Sequence, residues 1–315
     1  MSPTCLVFTH SRDYMVPEWV CASLEARGAR GLRIDLDRYP TALDLQLTEG
    51  ASAGRSTLAG LPLDAVQGVY LRKLAHPLLP AELPPEVVRA VQREAHHHLR
   101  GLFDVLSDEG AVFVNDLDAE LRVDGNKPRQ LRVARALGLR VPDTLLTNDP
   151  AAARAFYGRH SGQVVVKMLT SLNWSMTRGP QLPTRLLAPE DLDHLDGLRT
   201  GPMCFQERIE AGEELRVCVV RGQCYAGAQR MTGDVDWRQH GGAWAKGQVA
   251  EDTAQQLTAL MDRLGLVMGS IDLMVPDDGP PVFLEVNPAG EWGMLQNDLG
   301  YDISGAIADA LLERP

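Results

Sequence analysis

The sequence predicts a mixed fold, α/β at the front and α+β at the back, and three observations carry that expectation. The first third alternates short apolar runs with helix-like stretches, the pattern that builds a parallel sheet with crossover helices. The last third is richer in strands, "MCFQERI", "ELRVCVV", "GQCYAGAQRM", "GSIDLMV" and "PVFLEVN", and the turn "RGQ" makes the second and third of these a hairpin. The chain has 315 residues and 44% hydrophobic content, enough for a substantial core and two or three subdomains.

The front unit, residues 1–113, opens with the strand "CLVFTH" and a helix from about Pro17 to Arg27 that ends at Gly28, a C-terminal cap. "GLRIDL" and "AVQGVYLRK" read as further strands. A long helix begins near Pro84 and Pro85 and runs to about Leu106, and "AVFVND" follows as a short strand. The middle unit, 114–196, begins with "DGNKPRQLRVARALGLRVPDTLLTND". Its polar start, its apolar series Leu131, Ala134 and Leu137, and Gly138 mark a helix, with "VPDTLLT" extended after it. A short helix, the strand "GQVVVKML" and the long polar loop "TSLNWSMTRGPQ" complete it. The last unit, 197–315, carries the five strands above, with helices at about 251–264 and 302–313, the latter capped by Asp302.

Composition removes several classes of function. The formal net charge is −11 with no long Lys/Arg block, which argues against nonspecific binding to nucleic acid or to acidic membranes. No secretory signal opens the chain and no stretch is long enough to cross a bilayer, so a cytoplasmic protein is expected. The five cysteines form no CxxC pair and read as small core residues kept reduced. His96, His97 and His98 are consecutive, point in different directions on a helix, and read as a solvated face.

The run "VFLEVNPAGEW" places oxygen-bearing side chains in an apolar strand. Alternation puts Phe283, Glu285 and Asn287 on one face and Val282, Leu284 and Val286 on the other. If "PDDGPP" is the turn, a regular ladder pairs Val275 with Val282 and sets Asp272 directly across from Glu285. Opposed residues share a face with β-carbons about 4.5–5.5 Å apart, so the two carboxylates repel unless a cation lies between them. With the Asn287 carbonyl they offer three hard oxygen ligands of the kind magnesium takes. A solvated hairpin face alternates in the same way, and a bulge would break the register.

Cationic partners for a polyphosphate stand elsewhere. Lys167 ends the apolar run "VVVK", where a lone ammonium is costly unless paired; an edge strand guarded by a lysine is the other reading. Lys127 opens a helix, where a cation opposes the dipole unless an anionic ligand is near. Glu214 and Arg216 share one face of their strand, and Arg238 in "DWR" is a second guanidinium able to fork onto phosphate; surface ion pairs are the plainer account of both. P-loop and dinucleotide fingerprints are missing from the sequence.

Taken in order, "NKPRQL", "VVVK", "FQERI" with Glu214 seven residues after its Glu, "LRVCVV", "SIDL" and "FLEVNP" resemble the ATP-grasp superfamily, and the front third suits its pre-ATP-grasp domain. The resemblance implies that Lys127 and Lys167 bind the ATP phosphates, that Glu207 and the backbone near Ile209 read adenine, and that Glu214 holds the ribose. It implies that Asp272, Glu285 and Asn287 carry two magnesium ions, with Arg216 and Arg238 steadying the acylphosphate. Within the superfamily, "DVDWR" and "FLEVNPAGEWGMLQNDLGYDISGAIADAL" make the chain most similar to the graspetide, or microviridin-type, peptide maturases. That likeness implies a precursor peptide with leader and core, whose Asp or Glu side chains are joined to Ser or Thr hydroxyls or Lys amines, and a homodimer. A RimK-like ligase adding amino acids, and an ATP-binding regulatory module without catalysis, are the competing readings. The sequence departs from the wider family in two places: the loop after Lys167 has a single glycine, and Ser270 stands where related amino-acid ligases carry an Arg.

Overall fold

The computed structural model describes residues 2–50, 54–169, 184–231 and 243–313. The front unit is built on a four-stranded parallel sheet in the order β2-β1-β6-β7, from β1 (Thr4–Thr9), β2 (Arg30–Asp35), β6 (Val66–Leu71) and β7 (Val112–Val114). Helix α1 (Val16–Ala26) buries Val16, Val20 and Leu24 along one face and stops before Gly28, whose φ of +77° suits a residue without a Cβ. A small antiparallel sheet, β3 (Leu45–Gln46), β4 (Thr57–Leu58) and β5 (Leu61–Pro62), precedes β6 and was not expected from the sequence.

Both faces of the parallel sheet are covered. Leu6 and Phe8 of β1 join Val69 and Leu71 against α2 (Pro85–Asp108), while Cys5 and Val7 face the other way. That second face shares one core with the last third of the chain, including Cys218, Val220, Met268 and Trp292. Helix α8 (Ile303–Leu312) closes this core, with Ile303 and Ile307 packed into it and the Asp302 side chain capping it by accepting from Gly305 N at 3.0 Å. The C-terminal helix is therefore part of the front domain's packing.

Helices α3 (Leu117–Val123) and α4 (Lys127–Ala136) lead into the central sheet, in the order β10-β9-β11-β8. Its strands are β8 (Thr144–Thr147), β9 (Val164–Lys167), β10 (Arg185–Leu186) and β11 (Met203–Glu207), with α5 (Pro150–Arg159) on one face. The sequence division after residue 196 assigns β11 to the last unit. Its hydrogen bonds instead run to β8 and β9, so the sheet boundary falls after Glu207.

The last sheet is antiparallel in the order β14-β13-β12-β15-β16. It comprises β12 (Glu213–Val220), β13 (Gln223–Arg230), β14 (Ala245–Lys246), β15 (Met268–Val275) and β16 (Val282–Asn287). Arg221 and Gly222, both at positive φ, form the two-residue turn joining β12 to β13, as hairpin twist requires. Leu215, Val217, Val219, Ile271, Leu273 and Val286 face α4 and α6 (Glu251–Leu264). Helix α7 (Gly293–Leu299), another unexpected element, packs near Gly227, where a Cβ would lie 3.3 Å from the Leu299 side chain. His98 is not part of a solvated face as expected; its Nδ1 meets the Tyr39 hydroxyl at 2.5 Å.

Candidate active site

The acidic pair forms as the register predicted, though by another route. Asp272 pairs with Glu285 and Ser270 with Asn287, but at the far end Met274, not Val275, pairs with Val282. The difference is a bulge: Leu284 has no opposite number, and the register shifts between Asp272 and Leu273. The bulge corrects the expected alternation, because it turns Phe283 onto the core face with Val286 and away from Glu285. It also turns the Leu284 carbonyl outward, where it accepts from Lys127 Nζ at 3.3 Å.

Lys127 is the first residue of α4, with the Asn126 side chain capping the helix by accepting from Arg129 N. Its ammonium also reaches Glu285 Oε2 at 2.5 Å. Gln130, one turn on, fixes the helix to the strand: its amide donates to the Val286 carbonyl at 2.9 Å and its oxygen accepts from Val286 N at 3.1 Å. Lys167 donates to Gln206 Oε1 at 2.8 Å, and Gln206 in turn donates to Thr144 Oγ1 at 2.9 Å. Burial, then the positive charge of Lys127, lowers the Lys167 pKa to about 8, against the pull of Glu285. Lys127 of α4 and Lys167 of β9 thus stand close enough to repel beside the acidic strands, and Lys167 lies on an inner strand, so the edge-strand reading is set aside.

Arg216 and Asp272 are directly opposed on β12 and β15, both buried, and joined by two hydrogen bonds of 2.9 and 3.1 Å. Burial works against the Arg216 charge, but Asp272, and further off Glu214 and Glu285, outweigh it and raise its pKa. Two nitrogens of the Arg216 guanidinium, Nε and Nη2, are thus engaged on Asp272. Glu214 is buried on the same face, opposite Gln229. Arg238 and the loop from Thr170 to Gln181 lie outside the described residues.

The Glu207 side chain points away from the face that carries Lys167. Strand alternation puts Cys204, Gln206 and Lys167 on the site face, while Phe205 and Glu207 face α5. The Glu207 carboxylate lies 3.9 Å from His160 Nδ1, in a group with Asp143 whose ligand atoms lie within 4.8 Å of one another. Any share Glu207 has in reading a base passes through its main chain, and Ile209 follows it half-buried just beyond β11.

Gln130, Gln206, Arg72 and Asn115 are not among the residues the sequence singles out. Gln130 was detectable as a polar residue in the helix's buried face beside Leu131 and Ala134; the others carried no local signal.

The residues present fit magnesium and a nucleotide phosphate. Asp272 and Glu285 are hard carboxylates one residue pair apart, and Asn287 adds an amide oxygen. Each carboxylate has lone-pair sites beyond those that Arg216 and Lys127 take. Two ammonium groups brought together are the complement of an anion carrying several charges.

A parallel front domain, a central sheet bearing one lysine, and an acidic sheet bearing Asp272, Glu285 and Asn287 define an ATP-grasp protein. The RimK-like ATP-grasp domain model matches residues 125–311 and the MvdD pre-ATP grasp domain model matches residues 4–120; the chain belongs to this ATP-grasp ligase family. ATP-grasp ligases bind ATP with Mg2+. Among solved structures, the chain is similar to macrocyclase MdnC from Microcystis aeruginosa MRC, bound with precursor peptide MdnA. The identity is 32%, the TM-score 0.88, and the match covers 98% of this chain and 99% of that one. Macrocyclase MdnB from the same organism is 36% identical, with TM-score 0.85 and coverage of 98% and 99%. A RiPP-associated ATP-grasp ligase from Chryseobacterium gregarium, in complex with ADP and a leader and core peptide, is 27% identical, with TM-score 0.86 and coverage of 98% and 96%. No curated protein matches.

Proposed function

We propose that the chain is an ATP-dependent peptide macrocyclase. It activates Asp or Glu side-chain carboxylates of a ribosomally made precursor as acylphosphates. A Ser or Thr hydroxyl, or a Lys amine, then displaces phosphate to give an ester or amide ring, with ADP released. The observation that carries this reading is the end-to-end likeness to MdnC, a macrocyclase crystallised with its precursor peptide, because it includes the front domain as well as the ATP-grasp portion.

In this reading Lys127 and Lys167 hold the ATP phosphates, and the main chain over Glu207 to Ile209 lines the adenine site, with Glu214 at the ribose. Asp272, Glu285 and Asn287 hold two magnesium ions, which when bound neutralise charge on the transferring phosphoryl oxygens. Arg216 orients Asp272, and Arg238 is the candidate for contact with the acylphosphate. The leader of the precursor docks on the enzyme. The same reading places the enzyme in the cytoplasm, in keeping with its free cysteines, and as a homodimer. No helix among the described residues is long and apolar enough to cross a membrane.

The RimK-like model match favours a second reading, ligation of amino acids to a chain end. One incubation separates the two: protein, ATP, magnesium, a mixture of free amino acids and a Thr/Ser- and Asp/Glu-rich precursor encoded beside the gene. Loss of one water mass per bond with matching ADP supports the macrocyclase; gain of amino-acid mass supports ligation. ATP binding without any peptide change overturns both.

A further inference from the structure

The segment that follows the metal strand is held, residue after residue, by the front domain. Asn115, just after β7, donates from Nδ2 to the Pro288 carbonyl at 3.2 Å. Arg72, just after β6, donates from Nη1 to the carbonyls of Ala289 at 2.6 Å and Gly290 at 2.9 Å. Its Nη2 donates to Glu291 Oε2 at 2.8 Å. Trp292 Nε1 donates to the Tyr70 hydroxyl at 3.1 Å. Five consecutive residues, 288–292, are thus each tied to β6 or to the residues that follow β6 and β7.

Asn115 does more than hold Pro288. Its Nδ2 also donates to the Met268 carbonyl at 3.0 Å, and its Oδ1 accepts from Val267 N and Met268 N at 2.8 Å each. It therefore ties the start of β15 to the residue after β16, the two strands that carry Asp272, Glu285 and Asn287. Arg72 is fully buried, where a guanidinium is costly unless paired; its Nη1 and Nη2 are hydrogen-bonded, while its Nε has no hydrogen-bond acceptor among the described residues. Its charge faces Asp13, at 3.4 Å, and Glu291, while Lys73 bridges the same two carboxylates at 3.3 and 2.7 Å. A group meant only to fill space here would be apolar; a fork aimed at successive carbonyls fixes the direction of the chain. Gly290 lies close over Ser270, where a Cβ would come 2.9 Å from the Ser270 backbone nitrogen, so the loop has little room to shift.

We infer that Arg72 is a positioning residue for the magnesium site: by clamping 289–291 while Asn115 clamps 288, it aims Asn287 and the end of β16 at the metal. The inference rests on the metal assignment under the proposed function. Side chains that orient metal ligands from behind typically change metal affinity by about 10- to 100-fold when altered.

The test is ADP binding by calorimetry to the full chain, with and without magnesium. Arg72→Lys keeps the charge but not the fork. It is expected to leave metal-free ADP affinity within about twofold of the wild type and to reduce the magnesium-dependent gain by about tenfold or more. An unchanged gain in a folded variant overturns the inference. If the single change fails to fold, the charge-balanced Arg72→Gln/Glu291→Gln pair is read in the same way. Wild-type protein that binds ADP with no magnesium-dependent gain overturns the metal assignment and the clamp with it.

Discussion

Arg216 and Asp272 face each other across β12 and β15, and the guanidinium grips the carboxylate through two bonds in a buried setting. Removing one member of such a pair leaves a charge without its counter-ion. Arg216→Ala is expected to lower unfolding free energy by about 3–5 kcal/mol, measured from denaturant midpoints. Arg216→Lys should recover part of that stability but less of the turnover, because a lysine cannot hold both Asp272 oxygens in one plane.

Glu285 is both an oxygen ligand candidate and the partner of Lys127. Glu285→Gln keeps the shape and removes the charge. Peptide-dependent ADP formation is expected to fall by about 10²-fold or more, the scale of losing a group that stabilises developing charge. A magnesium titration checks the cause: the apparent requirement should rise in the variant.

Lys167 carries a pKa lowered to about 8 by burial and by Lys127. Between that value and the ordinary lysine value the unfolded chain binds more protons than the folded one, so stability rises with pH across this window. The charged form is the one that meets phosphate, so nucleotide affinity should fall as pH rises through the same region. Lys167→Met is expected to raise the thermal midpoint of the nucleotide-free protein at neutral pH and to abolish ATP binding. A melt and a binding isotherm on one preparation read both effects.

Glu120 has the opposite sign. Burial, then the neighbouring Asp124, raises its pKa to about 8, against the Asn115 side chain. In the window from the ordinary carboxyl value to about 8 the folded state binds more protons, so this group's contribution declines as pH rises. Glu120→Gln should therefore flatten the loss of stability between mildly acidic and mildly alkaline pH, seen in denaturant midpoints across that range.

Much of the architecture is legible in the sequence because periodicity and caps are local. The helix ended by Gly28, the Arg221–Gly222 turn and the Asp302 cap all formed as expected. The cross-strand pairing of Asp272 with Glu285 is also readable, yet alternation puts Phe283 on the wrong face, since a bulge at Leu284 leaves no trace in the alternation of apolar residues. β11 was assigned to the wrong sheet because partner choice among strands is a tertiary matter. Glu207 faces α5 for the same reason, its direction being set by which face the helix covers. Arg72 and Asn115 act on backbone carbonyls and amides more than 150 residues away, and main-chain partners have no sequence signature.

In the proposed reaction a peptide carboxylate is phosphorylated and then joined to a hydroxyl or amine. A precursor carrying heavy-oxygen label in its Asp and Glu side-chain carboxylates tests it most directly, with the released phosphate read by mass spectrometry. Activation transfers one carboxylate oxygen to phosphorus, and displacement leaves that oxygen on phosphate. One labelled oxygen in phosphate is expected for each water lost from the peptide. Dehydrated peptide accompanied by unlabelled phosphate would contradict it.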